Sequence, residues 1–225
     1  MKRLEHKHPL AIRWFHWINF PVLAIMIWSG ILIYWASADV VTYRIGLGHT
    51  TLVRFFPGWF FTKFHFDSRL SEGLYWHFFF MWFFAINGIA YVMYTALSGE
   101  WRSLVPNAGS WLEAIQVVLY DLHLSKIHPP RRKFNGAQQI SYTLIIVMGA
   151  FSLLTGLAIF KTVQFGWLTT LLGGYKMARF EHFWLTMGYV AFFLVHVAQV
   201  IKAGWNNFRA MITGYEVVRV EESHS

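Results

Sequence analysis

Four stretches of this chain, Trp14 to Trp35, Leu74 to Leu97, Ile140 to Phe160 and Phe183 to Ile201, are apolar and contain no Asp, Glu, Lys or Arg. At a rise of about 1.5 Å per residue, roughly 20 helical residues cross the hydrocarbon of a bilayer, which is about 30 Å thick. Lipid offers a backbone amide no partner, so a spanning segment has to close its own hydrogen bonds as a helix or within a closed barrel. The alternation of polar and apolar residues that a barrel strand needs is absent. The expectation is an all-α integral membrane protein, a four-helix bundle with short interfacial helices. It forms a single domain over residues 1–225, with spans at about 14–35, 74–97, 140–160 and 183–201.

Composition narrows the function classes. Charged residues make up 13% of the chain, about half the density of a soluble domain. With no cysteine, disulfides, iron–sulfur clusters, thiolate zinc and cysteine nucleophiles are excluded, and the 11 histidines are the remaining soft ligands. The net charge of +8 does not point to nucleic acid, because the aromatic residues lie inside the spans and not between basic side chains. It reads as membrane topology. Placing both termini in the cytoplasm puts 12 of the 19 basic residues inside, including the run Arg131, Arg132 and Lys133 just before the third span. The setting implied is a membrane crossed four times with both termini inside. Lys2, Arg3, Lys7 and Arg13 before the first span, and Ala36-Ser37-Ala38 after it, resemble a signal peptide. The apolar run is longer than the usual 7 to 15 residues or so, so the segment is read as retained.

The connections differ in character. Residues 37–73 hold the aromatic run Phe55-Phe56-Pro57-Gly58-Trp59-Phe60-Phe61, which Pro57 and Gly58 should break into short interfacial pieces. Between the second and third spans, Trp111, Leu112, Ile115, Val118, Leu119 and Leu122 recur at helical spacing opposite Glu113, Gln116 and Asp121. This is the pattern of an amphipathic interfacial helix that Pro129-Pro130 brings to an end. The tail after Gly214 is short and polar.

Ionisable side chains inside a span are rare and usually functional. Four histidines fall within the spans or at their edges: His16, His77, His182 and His196. Any one alone reads equally well as a neutral imidazole bonded to a neighbouring helix. Their joint placement says more. His182 and His196 are separated by 14 residues, which returns to within about 40° of the same helix face and places them about 21 Å apart along the axis. With the topology above, His16 and His196 lie toward the inner surface and His77 and His182 toward the outer one. Two facing imidazoles at each of two depths are what two six-coordinate b-type haems require, one axial nitrogen on each side of each porphyrin.

Glycine offers an independent check, since a porphyrin edge needs room on any helix it passes. Gly30 follows His16 by 14 residues, and Gly88 follows His77 by 11; each is near the face of its histidine but at the other depth. Gly149 and Gly156 share one face of the third span. Close helix packing through small residues explains the glycines equally well; with the histidines they favour the haem reading. Zinc prefers four closely grouped ligands, which two levels this far apart do not supply. Arg13 and Arg179, at span edges, read as interfacial anchors before they read as partners of haem propionates.

These residues resemble the bacterial di-haem cytochrome b subunits of the cytochrome b561, formate dehydrogenase and nickel–iron hydrogenase type. The likeness rests on Arg13-Trp14-Phe15-His16-Trp17, Ser29-Gly30, His77, Lys133-Phe134-Asn135-Gly136-Ala137-Gln138-Gln139, Leu154-Thr155-Gly156 and the His182 to His196 spacing, over about residues 8–212. The resemblance implies two haem b groups and electron transfer between ubiquinone or menaquinone, as a diffusible partner near the inner haem, and a catalytic oxidoreductase subunit near the outer one, such as a periplasmic molybdopterin enzyme. The chain would then be an electron-transfer subunit and not itself a catalyst. Residues 37–73 are longer than the outer loop of many members. Two alternatives are a stand-alone quinone-dependent oxidase of superoxide or another one-electron donor, and a transporter whose histidines relay protons.

Overall fold

The structure is a computed structural model and describes residues 2–36, 43–48, 50–66, 69–127 and 134–219. In chain order its elements are β1 (Lys2–His6), α1 (Leu10–Ala36), β2 (Arg44–Leu47), β3 (Thr50–Arg54), α2 (Gly58–Lys63), α3 (Leu70–Ser98), α4 (Trp101–Leu104), α5 (Ala108–Asp121), α6 (Gly136–Phe160), α7 (Gly166–Leu171), α8 (Tyr175–Ala203), α9 (Trp205–Thr213) and β4 (Tyr215–Arg219). The four long helices α1, α3, α6 and α8 carry the four apolar stretches and are long enough to cross a membrane. Large apolar side chains such as Trp82, Leu97 and Leu194 point outward at 62%, 85% and 64% exposure, as they do where the solvent is lipid. Each helix begins before its apolar stretch. In α8 the first turns include Lys176, Arg179 and Glu181, because hydropathy marks only the part at lipid depth while backbone hydrogen bonding continues through the charged interface.

The chain divides into two compact units, a smaller one of Trp14–Asn87 and a larger one of Met1–Arg13 with Gly88–Ser225. In the smaller unit α1 and the first half of α3 run antiparallel. Gly73 permits the close approach: a Cβ there would lie 2.8 Å from Leu32 Cβ and 3.1 Å from the Ser29 carbonyl. At the other end of the pair, Asn87 Nδ2 donates to the Phe15 carbonyl at 3.1 Å. The connection after α1 is more ordered than a broken interfacial loop. β2 and β3 form an antiparallel hairpin, Arg44 opposite Arg54 and Ile45 opposite Val53. Pro57 then starts α2 in extended conformation, and the fully buried Phe61 stacks on Trp35 with ring centres 3.8 Å apart. Alternation is too brief in this hairpin to stand out among so many aromatics.

In the larger unit α6 and α8 run antiparallel, and α5 lies against the start of α6. Asn107 and Ser110 make a reciprocal cap at the start of α5, and Asn135 and Gln138 do the same for α6. The amphipathic helix is present as α5, with Glu113 of its polar side packed inward and Gln116 exposed. Ser110, Glu113 and Val117 are buried against α6 while Trp111, Leu112 and Ile115 face out. The helix ends at Asp121, and Pro129, Pro130 and the Arg131–Lys133 run lie outside the described residues.

The tail after Gly214, expected only to be polar, is a strand. β4 pairs antiparallel with β1, His6 opposite Tyr215 and Lys2 opposite Arg219. Lys7 Nζ meets Glu216 at 2.6 Å, and the Gly214 carbonyl accepts from the Lys7 amide at 2.8 Å. Gly214 has φ 89°, the left-handed helix ending that glycine adopts without a Cβ penalty. Arg13 donates to the Ile212 carbonyl. The two ends of the described chain therefore lie at one end of this unit, as an even number of crossings requires.

Candidate functional site

The smaller unit carries two of the four histidines, one near each end of its helix pair. His16 sits in the second turn of α1, half-buried, with its ring edge-on to Trp17 at 5.1 Å. His77 follows Leu70, the first residue of α3, by seven positions. It packs on α1 near the opposite end, with Nδ1 3.0 Å from Ser29 Oγ. His16 and Ser29, thirteen residues apart on one helix, are about 20 Å apart along its axis.

The larger unit repeats the arrangement. His182 follows Tyr175, the first residue of α8, by seven positions, and its Nδ1 is 2.8 Å from Thr155 Oγ1 on α6. His196 lies toward the other end of α8, stacked parallel to Phe192 with ring centres 5.8 Å apart. One turn further on, Gln199 donates to Asp121 at the end of α5. Each unit thus presents one half-buried imidazole near each end of an antiparallel helix pair.

The glycines take specific places. A Cβ at Gly30 would lie 3.6 Å from His77 Cε1, and one at Gly156 would lie 3.4 Å from His182 Cε1. The room these two leave is occupied in part by the imidazoles. Gly149 lies near the Tyr189 hydroxyl, which a Cβ there would meet at 3.7 Å, whereas nothing among the described residues lies within 4 Å of a Cβ at Gly88. Ser29 and Thr155, both with 0% exposure, are the residues at this site that the sequence reading quoted but gave no role. The only signal in sequence is a hydroxyl–glycine dipeptide on the helix preceding each His-bearing helix.

Among the described residues no three His, Cys, Asp or Glu side chains converge as a metal-binding cluster. Each of the four imidazoles lies on an apolar spanning helix. This donor set fits a b-type haem, which asks of the protein one neutral nitrogen on each axis and apolar walls around the ring. The second ring nitrogens of His77 and His182 are already engaged by hydroxyls, the outer hydrogen bond that metal-ligating histidines normally make.

Residues 7–214 match the family described as prokaryotic cytochrome b561. A relative in Azospira oryzae, named "Putative protein-methionine-sulfoxide reductase subunit YedZ1", is 34% identical over 216 residues, covering 95% of this chain and 99% of the relative. No solved structure matches the chain at a significant level. The family match spans both units and all four histidines, and with it this chain is a member of the prokaryotic cytochrome b561 family.

Proposed function

We propose that this protein is a di-haem membrane cytochrome b that carries electrons between the quinone pool and a partner oxidoreductase. His16 and His196 would hold an inner haem, and His77 and His182 an outer one. The observation that carries the reading is the repeated end-to-end placement of imidazoles, His16 and His77 in one unit and His182 and His196 in the other. Haem, when bound, would supply one-electron chemistry, and a pair of histidines holding each group would leave no open iron position for oxygen or substrate. What the chain itself does is hold those nitrogens at two depths, keep water from them with apolar helices, and leave room at Gly88 for the inner group.

The Azospira relative is named as a subunit of a methionine-sulfoxide reductase, which supports a catalytic partner of that general kind at the outer face. Ubiquinone or menaquinone would exchange electrons at the inner haem. The distribution of Lys and Arg supports cytoplasmic termini, and the β1–β4 pairing supports their lying on one side together.

The test is a reduced-minus-oxidised spectrum with haem stoichiometry on protein purified from native membrane. Two haems per chain are expected, with one lost in His196→Ala and quinone reduction lost with it. Retention of both haems and of quinone reactivity in that variant would falsify the assignment. Fast quinone reduction by a diffusible donor without any partner would instead favour the stand-alone oxidase.

A further inference from the structure

The two hydroxyl–imidazole contacts are near copies of each other. In both, the histidine is the eighth residue of a 29-residue helix. In both, its Nδ1 meets a fully buried hydroxyl on the preceding spanning helix, at 3.0 Å for Ser29 and 2.8 Å for Thr155. In both, the next residue is glycine, and a Cβ on that glycine would meet the same ring atoms, Cε1 at 3.6 and 3.4 Å and Nδ1 at 3.9 Å in each case. The dipeptide works as a unit. The hydroxyl fixes one edge of the ring and the missing side chain lets that edge lie close to the helix.

The direction of the hydrogen bonds follows from counting protons. A hydroxyl has one hydrogen to give. Ser29 Oγ lies 2.7 Å from the Ile25 carbonyl, and Thr155 Oγ1 lies 2.8 Å from the Phe151 carbonyl. A carbonyl can only accept, so the hydroxyl proton is committed to it, the back-bonding that Ser and Thr make inside helices. Toward the histidine the oxygen is then an acceptor, and Nδ1 is the donor. A neutral imidazole that donates from Nδ1 carries its lone pair on Nε2, the form that ligates iron.

We infer that Ser29 and Thr155 are twin positioning residues for the outer haem, each fixing the tautomer and ring plane of one axial histidine through Nδ1, with Gly30 and Gly156 shaping the cradle. The inference rests on the assignment of His77 and His182 as the outer ligands. An acceptor at Nδ1–H makes the imidazole a stronger donor to iron and favours the ferric state. Taking such an acceptor away moves the reduction equilibrium of that haem toward ferrous, by less at His77, whose ring also hydrogen-bonds the Met26 backbone.

The experiment compares Ser29→Ala, Thr155→Val and the double variant with His77→Ala and His182→Ala, in full-length protein purified in detergent. Redox titration resolves the haems, and low-temperature EPR of the ferric protein reads ring orientation. Each hydroxyl removal is expected to raise the reduction equilibrium constant of one haem about two- to tenfold, the equivalent of one ordinary hydrogen bond. It should also weaken retention of that haem about tenfold, leaving the other unchanged. The affected haem should be the one that the two histidine variants lose. Thr155→Ser and Ser29→Thr, which keep the acceptor, should restore the wild-type potential and EPR signal. If the histidine variants lose one haem while Ser29→Ala and Thr155→Val leave its potential and signal unmoved, or shift both haems alike, the positioning role is overturned and the ligand assignment stands. If His77→Ala and His182→Ala keep both haems, the ligand assignment itself is overturned.

Discussion

Lys202 Nζ lies 2.5 Å from Asp121, while Gln199 Nε2 donates to the other carboxylate oxygen at 2.7 Å. Two residues on the last turns of α8 thus clasp the end of α5. Burial raises the Asp121 pKa, and the hydrogen bonds from Lys202 and Gln199 more than reverse this, so the carboxyl titrates below its usual value. A depressed carboxyl pKa contributes stability that is present above the unfolded value of about 3.9 and is lost as the pH falls through the folded value.

Asp121→Asn should therefore cost little at neutral pH, under about 1 kcal/mol, since the pair is largely solvent-facing and screened. It should also remove part of the stability that wild type loses on acidification below about pH 4. Thermal midpoints of both proteins between pH 7 and 3.5 give the measurement. His196 is one turn from Gln199, so the same substitution should loosen the inner haem before the outer one in a haem-retention assay. Equal loss from both would argue against α5 as a brace for His196.

Gln139 joins three helices and is 6% exposed. Its Oε1 accepts from Ser110 Oγ at 2.7 Å, and its Nε2 donates to the Ser103 carbonyl at 2.9 Å. Gln139→Leu keeps the volume but leaves a buried hydroxyl and a partly buried carbonyl without these partners, at a cost of about 1–3 kcal/mol. The loss should be local: faster hydrogen exchange over α4 and α5, with α8 unchanged.

The spanning helices were legible from hydropathy alone because lipid imposes one periodicity-free rule, an unbroken apolar length. The histidines were legible because an ionisable group at that depth needs a reason. What stayed hidden depends on partners far apart in sequence. Ser29 meets His77 across 48 residues and Thr155 meets His182 across 27, and a buried hydroxyl has no signature that sets it apart from any other small residue in a span. Glu113 shows a second limit. Its place in the polar stripe of α5 does not tell it from Gln116, which is exposed, yet Glu113 packs against the start of α6 beside Ser110. The β1–β4 pairing joins residues at the two ends of the chain, and five-residue strands carry too little pattern to announce themselves.

Two glycines that both support close packing should respond differently to alanine. At Gly188 a Cβ would come 2.7 Å from the terminal Cε of Met148, a flexible group that can swing aside. The gain of about 1 kcal/mol in helix propensity offsets the shift, so Gly188→Ala should be near neutral. At Gly73 the Cβ would meet Leu32 Cβ and the backbone carbonyl of Ser29, neither of which can rotate away. Gly73→Ala should cost about 1–3 kcal/mol, read as a lowered thermal midpoint. It should also disturb the haem that we propose His77 holds, because the carbonyl it presses on belongs to the residue whose hydroxyl meets that ring.

Gly88 separates a packing role from a cofactor role. Nothing among the described residues lies within 4 Å of a Cβ placed there, so a first added methyl meets no described side chain. If the space belongs to the inner haem, Gly88→Leu should leave the helical content by circular dichroism unchanged while lowering inner-haem occupancy, and the outer haem should keep its full amplitude in the difference spectrum. Gly88→Ala, adding one methyl, should fall between wild type and leucine. Full inner-haem content in Gly88→Leu would assign the gap to lipid and leave His16 and His196 to hold that group without help from this face of α3.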